Sequence, residues 1–159
     1  MLHLIYFKEV KMKIEKMSIM DLEQIKDNLQ SDFDDFWNSN ILEKELQNDN
    51  SYMIVVKDEN NEIVGFAGIQ FILDEADITN IVTKKSARNR GIGTILLKEL
   101  INVSEQKDCK RITLEVNENN SIALKLYKNI GFVEIGQRKK YYNGKETAII
   151  MEKKIEKCF

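Results

Sequence analysis

The chain has 159 residues, 43% of them hydrophobic and 31% charged, with a formal net charge of −2. This is the composition of a soluble globular chain of single-domain size, and so even a charge balance gives no reason to expect nucleic acid as a partner. No apolar run approaches the ~18–20 residues that span a bilayer. The opening Met1–Phe7 is too short for a signal peptide and no small-residue cleavage site follows it. The two cysteines, Cys109 and Cys158, have no metal-ligand spacing and His3 is the lone histidine, which argues against a zinc site or a histidine triad. The expectation is a cytoplasmic protein with reduced thiols.

In chain order, residues 1–11 read either as an extra strand or as an extension before a native start at Met12, the second being preferred. Met12 to Met17 reads as a strand, and Ser18 as the start of a helix. Leu22, Ile25 and Leu29 have the spacing of an amphipathic helix over 21–29. The acidic and aromatic run Ser31–Trp37 follows, then a short helix over 39–47. Phe33, Phe36 and Trp37 serve either as core packing or, with Asp32, Asp34 and Asp35, as the wall of a cleft for a cationic substrate. Strands are predicted over 51–57, 62–73 and 76–83, joined by tight turns at 58–61 and 74–75. A long helix over 91–107 carries Ile92, Ile95, Leu96, Leu100 and Val103 on its buried face. A strand over 111–117 puts Ile112, Leu114 and Val116 on one side and Thr113, Glu115 and Asn117 on the other. A helix over 119–129, ended by Gly131, precedes two last strands over 132–139 and 147–153 that turn near Asn143-Gly144. The reading is one α/β (α+β) domain over 1–159, without repeats or linkers.

The chain is organised around Arg88-Asn89-Arg90-Gly91-Ile92-Gly93-Thr94, between a strand and a helix. Unpaired N–H groups and partial positive charge at a helix start, together with glycine, make an anion site. A Walker loop would need Gly-Lys-Ser/Thr, and a dinucleotide fingerprint would need glycine where Leu96 stands, so neither is present. Arg88-x-x-Gly91-x-Gly93 resembles the pyrophosphate loop of the Gcn5-related N-acetyltransferases. Asn120-x-x-Ala123-x-x-Leu126-Tyr127-x-x-x-Gly131-Phe132 resembles that superfamily's second hallmark, in the right order. From Met12 onward the likeness extends to the bacterial ribosomal-protein-alanine N-acetyltransferases, through Asp74-Glu75-Ala76, Asn80 to Val82, Leu114-Glu115-Val116, Arg138 to Tyr142 and Ala148 to Met151. Members carry Phe-Pro-Trp in the early aromatic segment, whereas here Phe36-Trp37 has no proline between.

The resemblance implies a mixed central sheet of about seven strands flanked by about four helices. It implies acetyl-CoA as cosubstrate and no metal. Ile81, Val82 and Thr83 would present backbone to the acetyl group and pantetheine arm. Arg88, Asn89, Arg90, Gly91, Ile92, Gly93 and Thr94 would hold the pyrophosphate, and Asn120, Ala123 and Tyr127 would line the arm. Glu115 would be the general base and Tyr127 the general acid. Phe36, Trp37, Tyr141 and Tyr142 would line the acceptor slot. The partner implied is a protein N-terminus, that of a ribosomal protein, met by a monomer or weak homodimer.

Those residue types suit the chemistry. An amine must be neutral to attack a thioester; an α-amine, with a reference pKa of ~7.7–8.0, is deprotonated at pH 7 for about 3 kcal/mol less than a lysine at ~10.4. A carboxylate can take that proton, directly or through water, and a phenol can supply one to the leaving thiolate. Other readings remain open. Glu115 would otherwise be a solvent-facing strand carboxylate, Tyr127 a packed and hydrogen-bonded tyrosine, and Tyr141-Tyr142 packing. The acceptor would otherwise be a lysine side chain or a polyamine, or the chain a CoA-binding module without catalysis.

Overall fold

In the computed structural model the described residues are 3–7, 10–33, 37–142 and 144–156, with side chains described for 11–33, 37–140 and 144–156. The chain divides into two compact units, residues 1–70 with 80–100, and residues 71–79 with 101–159.

In the first unit, strands β1 (His3–Phe7), β2 (Val10–Lys16), β3 (Ser51–Lys57) and β4 (Ile63–Ile72) pair antiparallel in that order, through Ile5↔Met12, Ile14↔Val56 and Val55↔Phe66. Residues 3–7, ahead of Met12, form a strand. It makes eight strands among the described residues where the resemblance implied about seven. Ser18 starts α1 (Ile19–Ile25) through a capping box: its hydroxyl accepts the Asp21 N–H at 3.3 Å, and the Asp21 carboxylate accepts the Ser18 N–H at 2.8 Å. Asp21 also holds Lys57 at 2.8 Å, and Lys57 pairs with Glu15 at the same distance. Burial pushes the Asp21 carboxyl up, but Lys57 and the Ser18 donors outweigh it and hold the carboxyl below its ordinary value.

The helix expected over 21–29 is not continuous. A 3-10 turn over Lys26–Asn28 separates α1 from α2 (Leu29–Phe33). Asp27 and Asn28 fall at the break, and both are poor helix formers whose side chains compete for backbone hydrogen bonds. The stripe survives the break: Leu22, Ile25, Leu29 and Phe33 are buried with Leu42 of α3 (Ser39–Gln47), Met53 and Phe66, and the Phe33 and Phe66 rings lie 5.4 Å apart.

The boundaries between the units fall within β4, β5 (Glu75–Thr83) and α4 (Ile92–Gln106). In the second unit, β5 pairs parallel with β6 (Arg111–Asn117), β6 antiparallel with β8 (Glu146–Lys154), and β8 antiparallel with β7 (Val133–Tyr142). The alternation read from β6 holds, with Ile112, Leu114 and Val116 buried and Thr113, Glu115 and Asn117 half-exposed. The last helix, α5, spans Ser121–Ile130 and starts later than expected, because Asn120 stands outside it as the N-cap. Gly131 ends it at φ 107°, a left-handed conformation costly to any residue with a Cβ. Strand β7 closes the sheet order, and its register with β8 slips twice, between Glu134 and Gly136 and between Arg138 and Tyr142. The hairpin turn expected at Asn143-Gly144 rests in part on Asn143, outside the described residues.

Candidate active site

In the first unit, β5 ends at Thr83 and the Lys84 N–H returns to the Val64 carbonyl at 2.8 Å. A 3-10 turn over Lys85–Ala87, unforeseen in the sequence, then seats Ala87 in the interior before the loop turns outward. Asn89 (φ 64°) and Gly91 (φ 77°) adopt left-handed backbone, one asparagine and one glycine, the residues that bear it best. Alternation of this kind turns successive N–H groups inward and makes an anion-binding concavity. Helix α4 follows at once. Its first intrahelical bond runs from the Ile95 N–H to the Gly91 carbonyl at 3.1 Å, so the N–H groups of Ile92, Gly93 and Thr94 have no intrahelical acceptor. Arg88 and Arg90 are exposed beside them. Gly65 on β4 admits this arrangement: a Cβ there would lie 2.7 Å from Ile92 Cγ2 and 3.1 Å from the Val82 carbonyl oxygen.

Ile81, Val82 and Thr83 are half-buried on the last residues of β5, and Val82 packs against the core cluster of this unit. Just before them, both polar atoms of the Asn80 carboxamide are buried without a hydrogen-bond partner among the described residues. Trp37 is half-buried against the same cluster, so packing accounts for part of its surface. Phe36, Asp34 and Asp35 lie outside the described residues.

The second unit carries the titratable groups. Asn120 Oδ1 accepts the Ala123 N–H at 3.1 Å and caps α5. Ala123 is half-buried, and Tyr127 is buried with its ring 6.0 Å from that of Phe132. Glu115 is half-buried and its carboxylate receives the Arg138 Nε at 3.1 Å. On the same side of the sheet, Thr113 donates its hydroxyl to Asp77 Oδ1 at 2.8 Å. Burial pushes the Asp77 carboxyl above its ordinary value, while the Thr113 bond and the Arg138 charge pull it back only in part. The Thr79 hydroxyl is buried and unpartnered among the described residues. Tyr141 and Tyr142 belong to β7, with Tyr142 opposite Glu146; their side chains lie outside the described ones. Burial pushes the Cys109 thiol up, which makes it a packing residue; Cys158 is outside the described residues.

Asp77 and Thr79 escaped the sequence reading, which named Asn80 only within the family likeness and gave it no role. The available signal was strand alternation, since Asp77 and Thr79 interleave with buried Ala76 and Ile78.

A mixed sheet whose parallel pair brackets a glycine-bearing loop and helix, followed by a capped helix with a buried tyrosine, is the arrangement of the acyl-CoA N-acetyltransferase fold. The chain belongs to the acetyltransferase (GNAT) family, whose model matches residues 22–132, and it is an acetyl-CoA-dependent N-acetyltransferase. It is 32% identical over 146 residues to a Bacillus subtilis protein provisionally named ribosomal protein bS18-alanine N-acetyltransferase, covering 90% of this chain and 95% of that one. It is 42% identical over 97 residues to the Haemophilus influenzae ribosomal protein bS18-alanine N-acetyltransferase, covering 58% of this chain and 66% of the relative. The crystal structure of the ribosomal-protein-S18-alanine N-acetyltransferase from Escherichia coli superposes with a TM-score of 0.83 at 28% identity, covering 93% of this chain and 96% of that one.

Proposed function

We propose that this enzyme moves acetyl from acetyl-CoA to the N-terminal α-amine of a protein, the alanine N-terminus of ribosomal protein bS18, by direct attack in a ternary complex. The observation that carries the reading is the likeness, along nearly the whole of both chains, to proteins named for that reaction, in a chain that places a carboxylate, Glu115, at half-exposure on β6.

The residues fit the cosubstrate. The first-turn N–H groups of α4, with Arg88 and Arg90, suit a pyrophosphate. The orphaned Asn80 carboxamide, next to Ile81–Thr83, suits an arm that carries amides, since each needs one donor and one acceptor. Asn120 spends its oxygen on the cap and keeps its NH2 to donate to that arm. Bound acetyl-CoA supplies the acetyl thioester and a thiolate leaving group. An ammonium that becomes an amide loses two protons. Glu115 takes one, directly or through water; the C–N bond forms as the thioester C–S bond breaks, the Tyr127 hydroxyl protonates the leaving thiolate, and the second amine proton returns to the Tyr127 phenolate, directly or through water. A backbone N–H at Val82 would polarise the acetyl carbonyl. Tyr141 and Tyr142 on β7 would line the acceptor's path.

The test is CoA release, followed with a thiol reagent, from peptides beginning Ala, Ser, Met or Lys and from spermidine, with mass spectrometry to locate the acetyl group. The Ala peptide should be acetylated on its α-amine well above the rest. Transfer only to spermidine or to a lysine side chain would refute the protein N-terminus as acceptor.

A further inference from the structure

Around Glu115 the second unit holds further groups, Asp77, Thr79 and Thr113, that the reaction above does not use. Asp77 and Thr113 lie opposite each other in the parallel β5–β6 register, and their hydrogen bond fixes both side chains on one side of the sheet. Thr79, two residues beyond Asp77, and Glu115, two beyond Thr113, share that side by the pleat. Thr79 and Glu115 are the residues that follow the last pair of that ladder, Ile78↔Leu114, one on each strand. We infer that Asp77, Thr79 and Glu115 together form a seat for the acceptor's primary ammonium, three acceptor groups matched to its three N–H donors. The inference rests on the amine-acceptor reading above and deepens it by naming how the amine is held.

Three observations support the seat. The Thr79 hydroxyl is buried without a partner among the described residues, an unmet hydrogen bond that a bound N–H donor would satisfy. The charge is complementary: Asp77 and Glu115 face one cation, Arg138, which pairs with Glu115 and acts on Asp77, so the seat is short by one positive charge. The other nearby cation, Arg111, is engaged by two carboxylates of its own and does not make up the missing charge. Arg111 reaches Glu75 at 2.9 Å and Glu152 at 3.1 Å. An arriving ammonium would share Glu115 with Arg138 and pass its proton to that carboxylate, with Asp77 and Thr79 holding the remaining N–H groups as the amine turns toward the thioester.

The test uses the full chain saturated with CoA, so that nothing turns over. The dissociation constants of three peptides are compared: one beginning with Ala, its propionyl analogue without the amine, and its N,N-dimethyl-Ala analogue, which keeps the charge with a single N–H. Wild type should prefer the Ala peptide over the propionyl one by tenfold or more. Asp77→Asn should bring that ratio close to one. Thr79→Val should instead narrow the gap between the Ala and dimethyl-Ala peptides, and Thr79→Ser should restore it. Unchanged CoA affinity and a cooperative melt show that each variant is folded. Wild-type ratios in both Asp77→Asn and Thr79→Val, or no ammonium preference in wild type, would overturn the seat. If wild type acetylates the Ala peptide while those ratios do not move, the seat falls and the proposed function stands. If wild type acetylates no peptide N-terminus, the proposed function falls, and the same three-way comparison with propylamine, dimethylpropylamine and propane as probes decides the seat.

Discussion

Gly65→Ala tests whether the cofactor loop is set by contact with the sheet beneath it. The added Cβ would lie 2.7 Å from Ile92 Cγ2, 3.1 Å from the Val82 carbonyl oxygen and 3.2 Å from Leu96 Cδ1. Carbon atoms settle at about 3.5–4.0 Å, so the Ile92 contact is roughly 1 Å too close. Ile92 is buried and β-branched, with its Cγ2 next to the backbone, so no rotamer relieves the clash and the helix start or the end of β5 must move. Overpacking of this kind costs about 1–3 kcal/mol, which for a chain of this size lowers Tm by roughly 2–12 °C. A shift near 1 Å in the first turn of α4 would misplace the N–H groups offered to the pyrophosphate, and a misplacement of that size can cost on the order of 10²-fold. The expected outcome is a modest drop in Tm with acetyl-CoA affinity lowered tenfold to a hundredfold, read by calorimetric titration beside a melting curve. Gly136→Ala is the control: its Cβ would meet Ile150 Cδ1 at 3.7 Å, an ordinary contact, and should change neither quantity. A Gly65→Ala protein that melts early but binds acetyl-CoA like wild type would refute the reasoning, because the core would then absorb the strain without moving the loop.

Three further outcomes are expected. Asp21→Asn removes a carboxylate held below its ordinary value, whose stabilising effect is present above the unfolded value near 4 and lost as pH falls through the folded one. The variant should therefore unfold more readily by about 1 kcal/mol at pH 7, with the gap closing below about pH 4 in urea titrations. Asp77 has the opposite sign: its raised carboxyl favours the fold when protonated and loses that advantage as pH rises through the folded value. Asp77→Asn should thus melt higher than wild type at pH 7 even as acceptor binding weakens; a lower Tm would contradict it. Glu115→Gln and Tyr127→Phe should each lower kcat by roughly 10²–10⁴ with little effect on acetyl-CoA binding, and intact turnover in either would remove its assigned proton-transfer role.

The parts of the fold that local chemistry dictates were legible. The bounds of β3, β6 and α3 coincide with the reading, because alternation, capping residues and turn residues all lie within the element itself. The break in the first helix was not legible, since the apolar spacing continues unbroken from Leu22 to Phe33 across the 3-10 turn. The glycine-bearing loop proposed for the pyrophosphate could be read because its residues are consecutive, but the turn before it could not, because Lys85–Ala87 carries no glycine or proline signal. The seat around Glu115 was invisible for another reason. Asp77 meets Thr113 only through the parallel pairing of β5 with β6, and Arg138 meets Glu115 from a strand whose register slips. No local pattern encodes such a meeting.

The slips in β7 have a consequence beyond aiming Arg138. This strand ends the sheet and bears the exposed side chains of Val133 and Ile135, a combination that in a regular strand would template addition of another chain. Ile135 is itself the extra residue of the first slip, and Lys140, at φ 56°, sits within the second beside Lys139. The outer row of N–H and C=O groups is therefore interrupted in two places and flanked by positive charge, so a foreign strand finds no run long enough to pair with. The irregularity that brings Arg138 to Glu115 also guards the protein against aggregation at this edge of the sheet.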